Sequence, residues 1–285
     1  MELHAIETGN FKLDGGAMFG VVPKVLWNKQ YPADENNLIN LSMRSLLVVD
    51  GPRKILIDNG LGEKLDEKFL KHYFLNGDDT LEGSLEKAGY SPSDITDVIM
   101  THLHFDHCGG GVKLTDNGEL TLTFQNATYW VGRKQWENAM NPNPREKSSY
   151  FKDNLLPIEK SGQLKFIEED CRFSDHVHLR IYHGHTVGQI LPFIDYHGKK
   201  LVYVADLIPS SANIPIAWVA AFDVYPITAM EEKDSFLQEA YEYEYTLFFE
   251  HDINVECCNL KKTEKGIRMN ESFRLAQYSS SSPQK

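Results

Sequence analysis

Apolar residues in this chain gather in short runs separated by turn residues. The runs Leu46 to Val49 and Ile55 to Ile57 flank Asp50-Gly51-Pro52, which predicts a β-hairpin ending at Asp58-Asn59-Gly60. Amphipathic spacing then predicts a helix from about Glu63 to Leu75 and another over Leu81 to Gly89, the second closed by a glycine stop signal. The run Val98-Ile99-Met100-Thr101 predicts a short buried strand. Further strands are expected at Leu120 to Phe124, Ala127 to Val131, Val177 to Tyr182, Gln189 to Ile194, Leu201 to Val204 and Tyr245 to Phe249. Thr228 with Glu231 three residues on has the form of a capping box, opening a helix to about Tyr243. Hairpins come first and helices are interspersed, so a strictly alternating parallel sheet is disfavoured. The class expected is α/β (α+β), with packed sheets flanked by helices.

Length changes this picture little. The 285 residues, 41% of them hydrophobic, suit a single compact domain over 1–277 with no tandem repeat. Residues 278–285, with four serines and a proline, are expected to form a disordered tail that cannot offset its ordering entropy.

Charge narrows the partners. A formal charge of −12, with 29 Lys and Arg scattered among 41 Asp and Glu, leaves no basic footprint and argues against nucleic acid. No run approaches the roughly 18 apolar residues of a membrane span, and Met-Glu-Leu-His does not open a signal peptide. A soluble, cytoplasmic protein acting on a small molecule is expected, although a chain with its leader removed would look the same; a homodimer is compatible with this. Cys108, Cys171, Cys257 and Cys258, two of them adjacent, read as reduced thiols rather than a disulfide framework.

The chemistry concentrates at His102, His104, Asp106 and His107, four candidate ligands within six residues, directly after a predicted strand and before Gly109-Gly110-Gly111. A helix could not converge all four. A turning loop can, and imidazole with carboxylate suits zinc and its first-row neighbours; the glycines would permit the backbone conformations of such a turn. Buried together without a cation, these groups would be costly to satisfy. Cys108 reads as a small buried hydrophobe. His4, His72, His176, His178 and His197 lack any ligand-like context.

The run Thr101-His102-Leu103-His104-Phe105-Asp106-His107 resembles the H-x-H-x-D-H signature of the metallo-β-lactamase superfamily. The resemblance extends to His183-Gly184-His185-Thr186-Val187-Gly188-Gln189, to Tyr203-Val204-Ala205-Asp206 and to Phe248-Phe249-Glu250-His251-Asp252. It implies an αββα sandwich with two divalent metals, zinc first and Mn, Fe or Co as alternatives. His102, His104 and His185 would hold one ion, Asp106, His107 and His251 the other, and Asp206 would bridge them. A hydroxide between the ions would be the nucleophile, with Asp106 and Asp206 as the catalytic carboxylates. Asp58 resembles the family's supporting aspartate. His183 is not required as a ligand, and a structural role is expected for it.

Ala17 to Pro23 and Ile214 to Tyr225 mix glycine, proline and aromatics without clean periodicity, which makes Phe19, Trp218, Phe222 and Tyr225 candidates for an apolar pocket wall. The arrangement is most similar to N-acyl-homoserine lactonases and methyl parathion hydrolase-like enzymes, implying a lactone or other neutral ester with an apolar tail. Pro209 departs from the lactonases, which commonly have a tyrosine three residues after the bridging aspartate; Tyr225 is the candidate substitute. Asp106 disfavours antibiotic hydrolysis. Organophosphate triester hydrolysis and a glyoxalase II-like thioesterase activity stay open, as do a metal-binding protein and a di-iron redox centre, the last opposed by His104 and the chain length.

Overall fold

The structure, a computed structural model, describes residues 1–280. The chain runs through β1 (Glu2–Asp14), the short helices α1 (Gly15–Phe19) and α2 (Lys24–Trp27), β2 (Leu38–Asp50), β3 (Arg53–Ile57), α3 (Glu67–Leu70), α4 (Leu81–Lys87), β4 (Asp97–Ile99) and α5 (Phe105–Cys108). It continues with β5 (Val112–Leu114), β6 (Leu120–Leu122), β7 (Thr128–Gly132), α6 (Arg133–Met140), α7 (Lys152–Ser161) and β8 (Leu164–Ile167). The last part holds β9 (Cys171–Arg172), β10 (Val177–Tyr182), β11 (Gln189–Tyr196), β12 (Lys199–Tyr203), α8 (Pro226–Glu242), β13 (Thr246–Phe248), β14 (Cys257–Thr263), β15 (Gly266–Phe273) and α9 (Leu275–Ser280).

Two large sheets result, in the orders β1-β2-β3-β4-β7-β8 and β15-β14-β13-β12-β11-β10-β9, with β5 and β6 forming a small third. The mixed α/β class expected from the apolar runs is borne out. Contacts divide the chain into two compact units: Met1–Asn10, Met43–Cys171 and Gly188–Ile190 form the first, and Phe11–Ser42, Arg172–Val187 and Leu191–Lys285 the second.

In the first unit, the β2–β3 hairpin has the predicted register, Leu46 opposite Ile57 and Asp50 opposite Arg53. β3, β4 and β7 are parallel, with Ile57 beside Ile99 and Ile99 beside Trp130. Val98, Leu56 and Tyr129 pack with Leu85 of α4, Trp136 of α6 and Leu155 and Ile158 of α7. Each fully buried aliphatic side chain contributes about 1.5–3 kcal/mol. β4 is therefore a rigid base for the loop that follows it.

In the second unit, β12 and β13 are parallel, with Tyr203 beside Phe248. Val202, Val204, Leu247 and Phe249 pack with Phe236, Leu237 and Ala240 of α8.

Several elements differ from the sequence expectations. The helix expected from Glu63 to Leu75 is only α3, because the Asp66 side chain caps it at the Phe69 amide and Phe74 turns left-handed at φ 46°. α8 starts at Pro226 rather than at a Thr228 capping box: proline's fixed φ and missing N–H suit the first helical position. β1 escapes notice because its buried Leu3, Ile6 and Phe11 follow no strict alternation. Tyr278, where the tail was expected to begin, lies in α9, buried and stacked on Tyr196 and Phe273; residues 281–285 lie outside the described residues. No helix among the described residues is long and apolar enough to cross a membrane.

Candidate metal centre

Four of the sequence-predicted ligands lie on the third residue past the end of a strand: His102 after β4, His185 after β10, Asp206 after β12 and His251 after β13. Open sheets place ligand-binding groups at the carboxyl ends of strands. In the second unit, β12 and β13 end in register, and His251 Nε2 accordingly lies 3.2 Å from Asp206 Oδ1. Ala205 holds a left-handed φ of 41° immediately before Asp206, a strained backbone of the kind found where a side chain must be aimed.

In the first unit, α5 is a single turn. It places Asp106 and His107 with Nε2 of the histidine 3.9 Å from Asp106 Oδ2. The glycines behind it serve close approach and not an unusual turn: Gly109 and Gly110 have Cα positions where a Cβ would come 2.0 Å from the Leu61 carbonyl and 2.1 Å from that of Asn59. This corrects the conformational role expected for them.

Hydrogen bonds fix the tautomers of His102, His107, His185 and His251. Thr101 Oγ1 donates to Asp58 Oδ2 at 2.7 Å, so it accepts from His102 Nδ1 at 3.1 Å and the His102 lone pair lies on Nε2. Asp58, at φ 56°, also accepts the Thr101 amide at 2.7 Å and His107 Nδ1–H at 3.1 Å. His104 presents Nε2 to Glu146 Oε1 at 3.7 Å and Nδ1 to His102 Nε2 at 3.1 Å. In the second unit, His185 Nδ1–H donates to Asp223 Oδ1 and His251 Nδ1–H to the Ser42 carbonyl, both at 2.8 Å. Each leaves Nε2 facing Asp206: His185 to Oδ2 and His251 to Oδ1, both at 3.2 Å.

In the second unit, lone pairs therefore face lone pairs: both oxygens of Asp206 against imidazole nitrogens. That is repulsive unless cations lie between. Two ligands about 2.0–2.1 Å from a tetrahedral ion stand roughly 3.3 Å apart, close to the 3.1–3.2 Å found. The residues fit divalent metal, and outer partners that lock the imidazoles are what such sites need.

Asp223 and Glu146 were missed by sequence reasoning. Asp223 lay inside the segment read as a pocket wall, and Glu146, 3% exposed and bonded by Asn138, Asn143 and Tyr150, follows no motif. Cys108 is fully buried, its thiol 3.4 Å from the Leu103 carbonyl, and burial pushes its pKa up to about 12. His183 contributes its backbone amide, to Glu232 at 2.7 Å. None of His4, His72, His176, His178 and His197 is buried.

Of the wall candidates, Phe222 and Tyr225 are exposed and Trp218 is half-buried. Phe19 needs correction. It is 1% exposed, stacked on Trp27 at 5.2 Å and edge-on to Trp218 at 5.8 Å, so it supports Trp218 and offers no surface of its own.

A family model described as the metallo-β-lactamase superfamily matches residues 44–251. An N-acyl homoserine lactonase from Bacillus thuringiensis is 28% identical over 234 residues, 77% of this chain and 84% of that protein. The structure of a probable metal-dependent hydrolase from Staphylococcus aureus matches with a TM-score of 0.86 and 32% identity, over 96% of this chain and 98% of that one. A dizinc quorum-quenching lactonase in complex with an N-hexanoyl homoserine product matches with a TM-score of 0.77 and 25% identity over 95% of both chains.

Proposed function

This chain belongs to the metallo-β-lactamase superfamily, and from that premise we propose that it is a two-metal lactonase acting on lactones, or other neutral esters, with an apolar tail. That it is a metal-dependent hydrolase follows from the family and from its lactonase relatives. The observation that carries the two-metal reading is Asp206, whose two oxygens face two different imidazoles at 3.2 Å; a carboxylate so placed is built to bridge. His102, His104 and His185 then serve one ion, and Asp106, His107 and His251 the other. One functional domain over 1–277 is part of this proposal. Zinc is the expected metal, as in the dizinc relative.

When bound, two divalent ions supply an activated water at neutral pH and polarise an acyl carbonyl. The chain's own contribution is orientation. Asp58, Thr101, Asp223 and the Ser42 carbonyl hold imidazole protons on Nδ1 of His107, His102, His185 and His251, leaving Nε2 of each free to coordinate. Trp218 and Phe222 offer apolar area to a substrate tail, contributing about 25 cal/mol per Å² covered. Tyr225 replaces the phenol that Pro209 cannot supply: its backbone amide donates to the Gly184 carbonyl at 2.9 Å, which ties it to the loop bearing His185.

The test is metal analysis followed by a substrate panel. Two ions per chain are expected, and among homoserine lactones of increasing acyl length the specificity constant should rise several-fold per few methylenes until the wall is covered. A phosphotriester or glutathione thioester turned over well, with every lactone inert, would sink the lactonase reading and leave the metallohydrolase.

A further inference from the structure

Helix α8 grips the loop that carries His185. Glu232 Oε1 accepts the His183 amide at 2.7 Å and Oε2 the Gly184 amide at 2.9 Å, so both carboxylate oxygens hold consecutive backbone N–H groups just before the ligand. One helical turn earlier, Ala229 lies so near Gly184 that a Cβ there would stand 2.3 Å from the Ala229 Cα. Residues at i and i+3 share a helix face, so Ala229 and Glu232 meet the loop together. Where α8 begins, the amides of Val224 and Tyr225 donate to the carbonyls of His185 and Gly184 at 3.0 and 2.9 Å.

The helix itself is anchored on both sides. The buried Lys233 ammonium donates its three hydrogens to the carbonyls of Asn213, Pro215 and Trp218 at 2.9, 3.1 and 3.0 Å. Two turns further on, Glu239 forms a bidentate pair with Arg180 of β10, the strand that leads into the loop. A loop pressed on a fixed helix has little freedom in where its histidine ends.

We propose that Glu232 is a positioning residue for the metal centre: its bidentate grip on the His183 and Gly184 amides sets the reach of His185 toward Asp206. The inference rests on the two-metal reading. Its purpose is geometric. Asp223 fixes which nitrogen of His185 carries the proton, and Glu232 fixes where the ring stands. A charged acceptor suits this task, because charge-assisted hydrogen bonds are shorter and roughly twice as strong as neutral ones.

The experiment compares Glu232→Gln with Glu239→Gln in the full, zinc-loaded chain; the second change weakens the same helix by loosening its tie to Arg180. Zinc affinity by chelator competition, amide exchange, and kcat and KM on a lactone are measured. Glu232→Gln should weaken one of the two zinc ions by about tenfold or more, speed exchange at His183 or Gly184, and lower kcat more than it raises KM. Glu239→Gln should leave zinc affinity within about twofold while lowering Tm. Glu232→Asp, which keeps the charge one methylene further back, should fall between Glu232→Gln and wild type. Wild-type zinc affinity in Glu232→Gln, or equal weakening in Glu239→Gln, overturns the proposal. If wild type itself holds fewer than two ions, the two-metal reading fails, and amide exchange decides the grip: unaltered protection of His183 and Gly184 in Glu232→Gln overturns it.

Discussion

The two units assemble their candidate ligands by different means. In the first, His102, His104, Asp106 and His107 sit on one loop and one helical turn, and chain connectivity already keeps them near each other. In the second, His185, Asp206 and His251 follow three separate strands, and only the register of β12 on β13 and the grip of α8 bring them together. A local cluster needs orientation; a dispersed one needs the whole unit folded. The supporting groups reflect this. Asp58 and Thr101 adjust the first set by short hydrogen bonds, whereas the second draws on Asp223, the Ser42 carbonyl and helix α8.

The sharpest way to break this contrast is through the carboxylates. Asp206→Asn and Asp106→Asn should each lower turnover at least ~100-fold, but the bridging residue should affect both ions and Asp106 only one. Metal analysis after reconstitution checks this: two bound ions in Asp206→Asn would show that it bridges nothing.

Next in size are the outer carboxylates. Asp223→Asn and Asp58→Asn should each weaken metal binding by about 10–100-fold. Asp58 also accepts the Thr101 amide and hydroxyl, so its variant should lose more thermal stability than Asp223→Asn. Paired zinc titrations and melting curves would refute the assignment if the two variants could not be told apart by Tm.

Lys233→Met probes the dispersed unit without touching a ligand. It leaves three carbonyls without their buried donor, and a cost of at least ~2 kcal/mol is expected. Denaturant unfolding measures it; a loss under about 0.5 kcal/mol, the usual size at an ordinary surface site, would remove Lys233 as the anchor of α8.

The smallest effect concerns acid. Burial by itself would raise the Asp97 carboxyl, but hydrogen bonds from Arg53, Thr96 and Trp130 outweigh it and hold the group below its ordinary range. With the folded pKa depressed, the unfolded chain binds the proton more readily, so this stabilisation is present above the ordinary pKa and lost as pH falls through the folded value. Asp97 opens β4, and Asp97→Asn should flatten the acid limb of stability below pH about 4. An unchanged limb would show that the carboxylate does not secure that strand.

How much of this was legible in the sequence follows from the same contrast. The first unit's candidate ligands announce themselves, because spacing within six residues survives as spacing in three dimensions. His185, Asp206 and His251 were reached through resemblance at separate strand ends, not through any local pattern. Asp58 stood out as the end of a strand. Asp223, Glu146, Glu232 and Lys233 did not: a lone carboxylate or ammonium in a helix or loop reads as a solvated charge until its partners are known. Phe19 erred in the opposite direction, since an aromatic in an irregular segment looks like a wall and only packing against Trp27 and Trp218 makes it core.

The sequence by itself determined the chemistry available, the hairpin and buried strands that carry it, and the loop bearing four candidate ligands. Tertiary structure decided which nitrogen of His102, His107, His185 and His251 carries the proton, where Asp206 points, and which distant charges hold the loops. The physical reason is range. Hydrophobic periodicity and ligand spacing act over a few residues along the chain, while hydrogen bonds that set a tautomer or seat a loop join groups whose nearness exists only after the sheets have set their register.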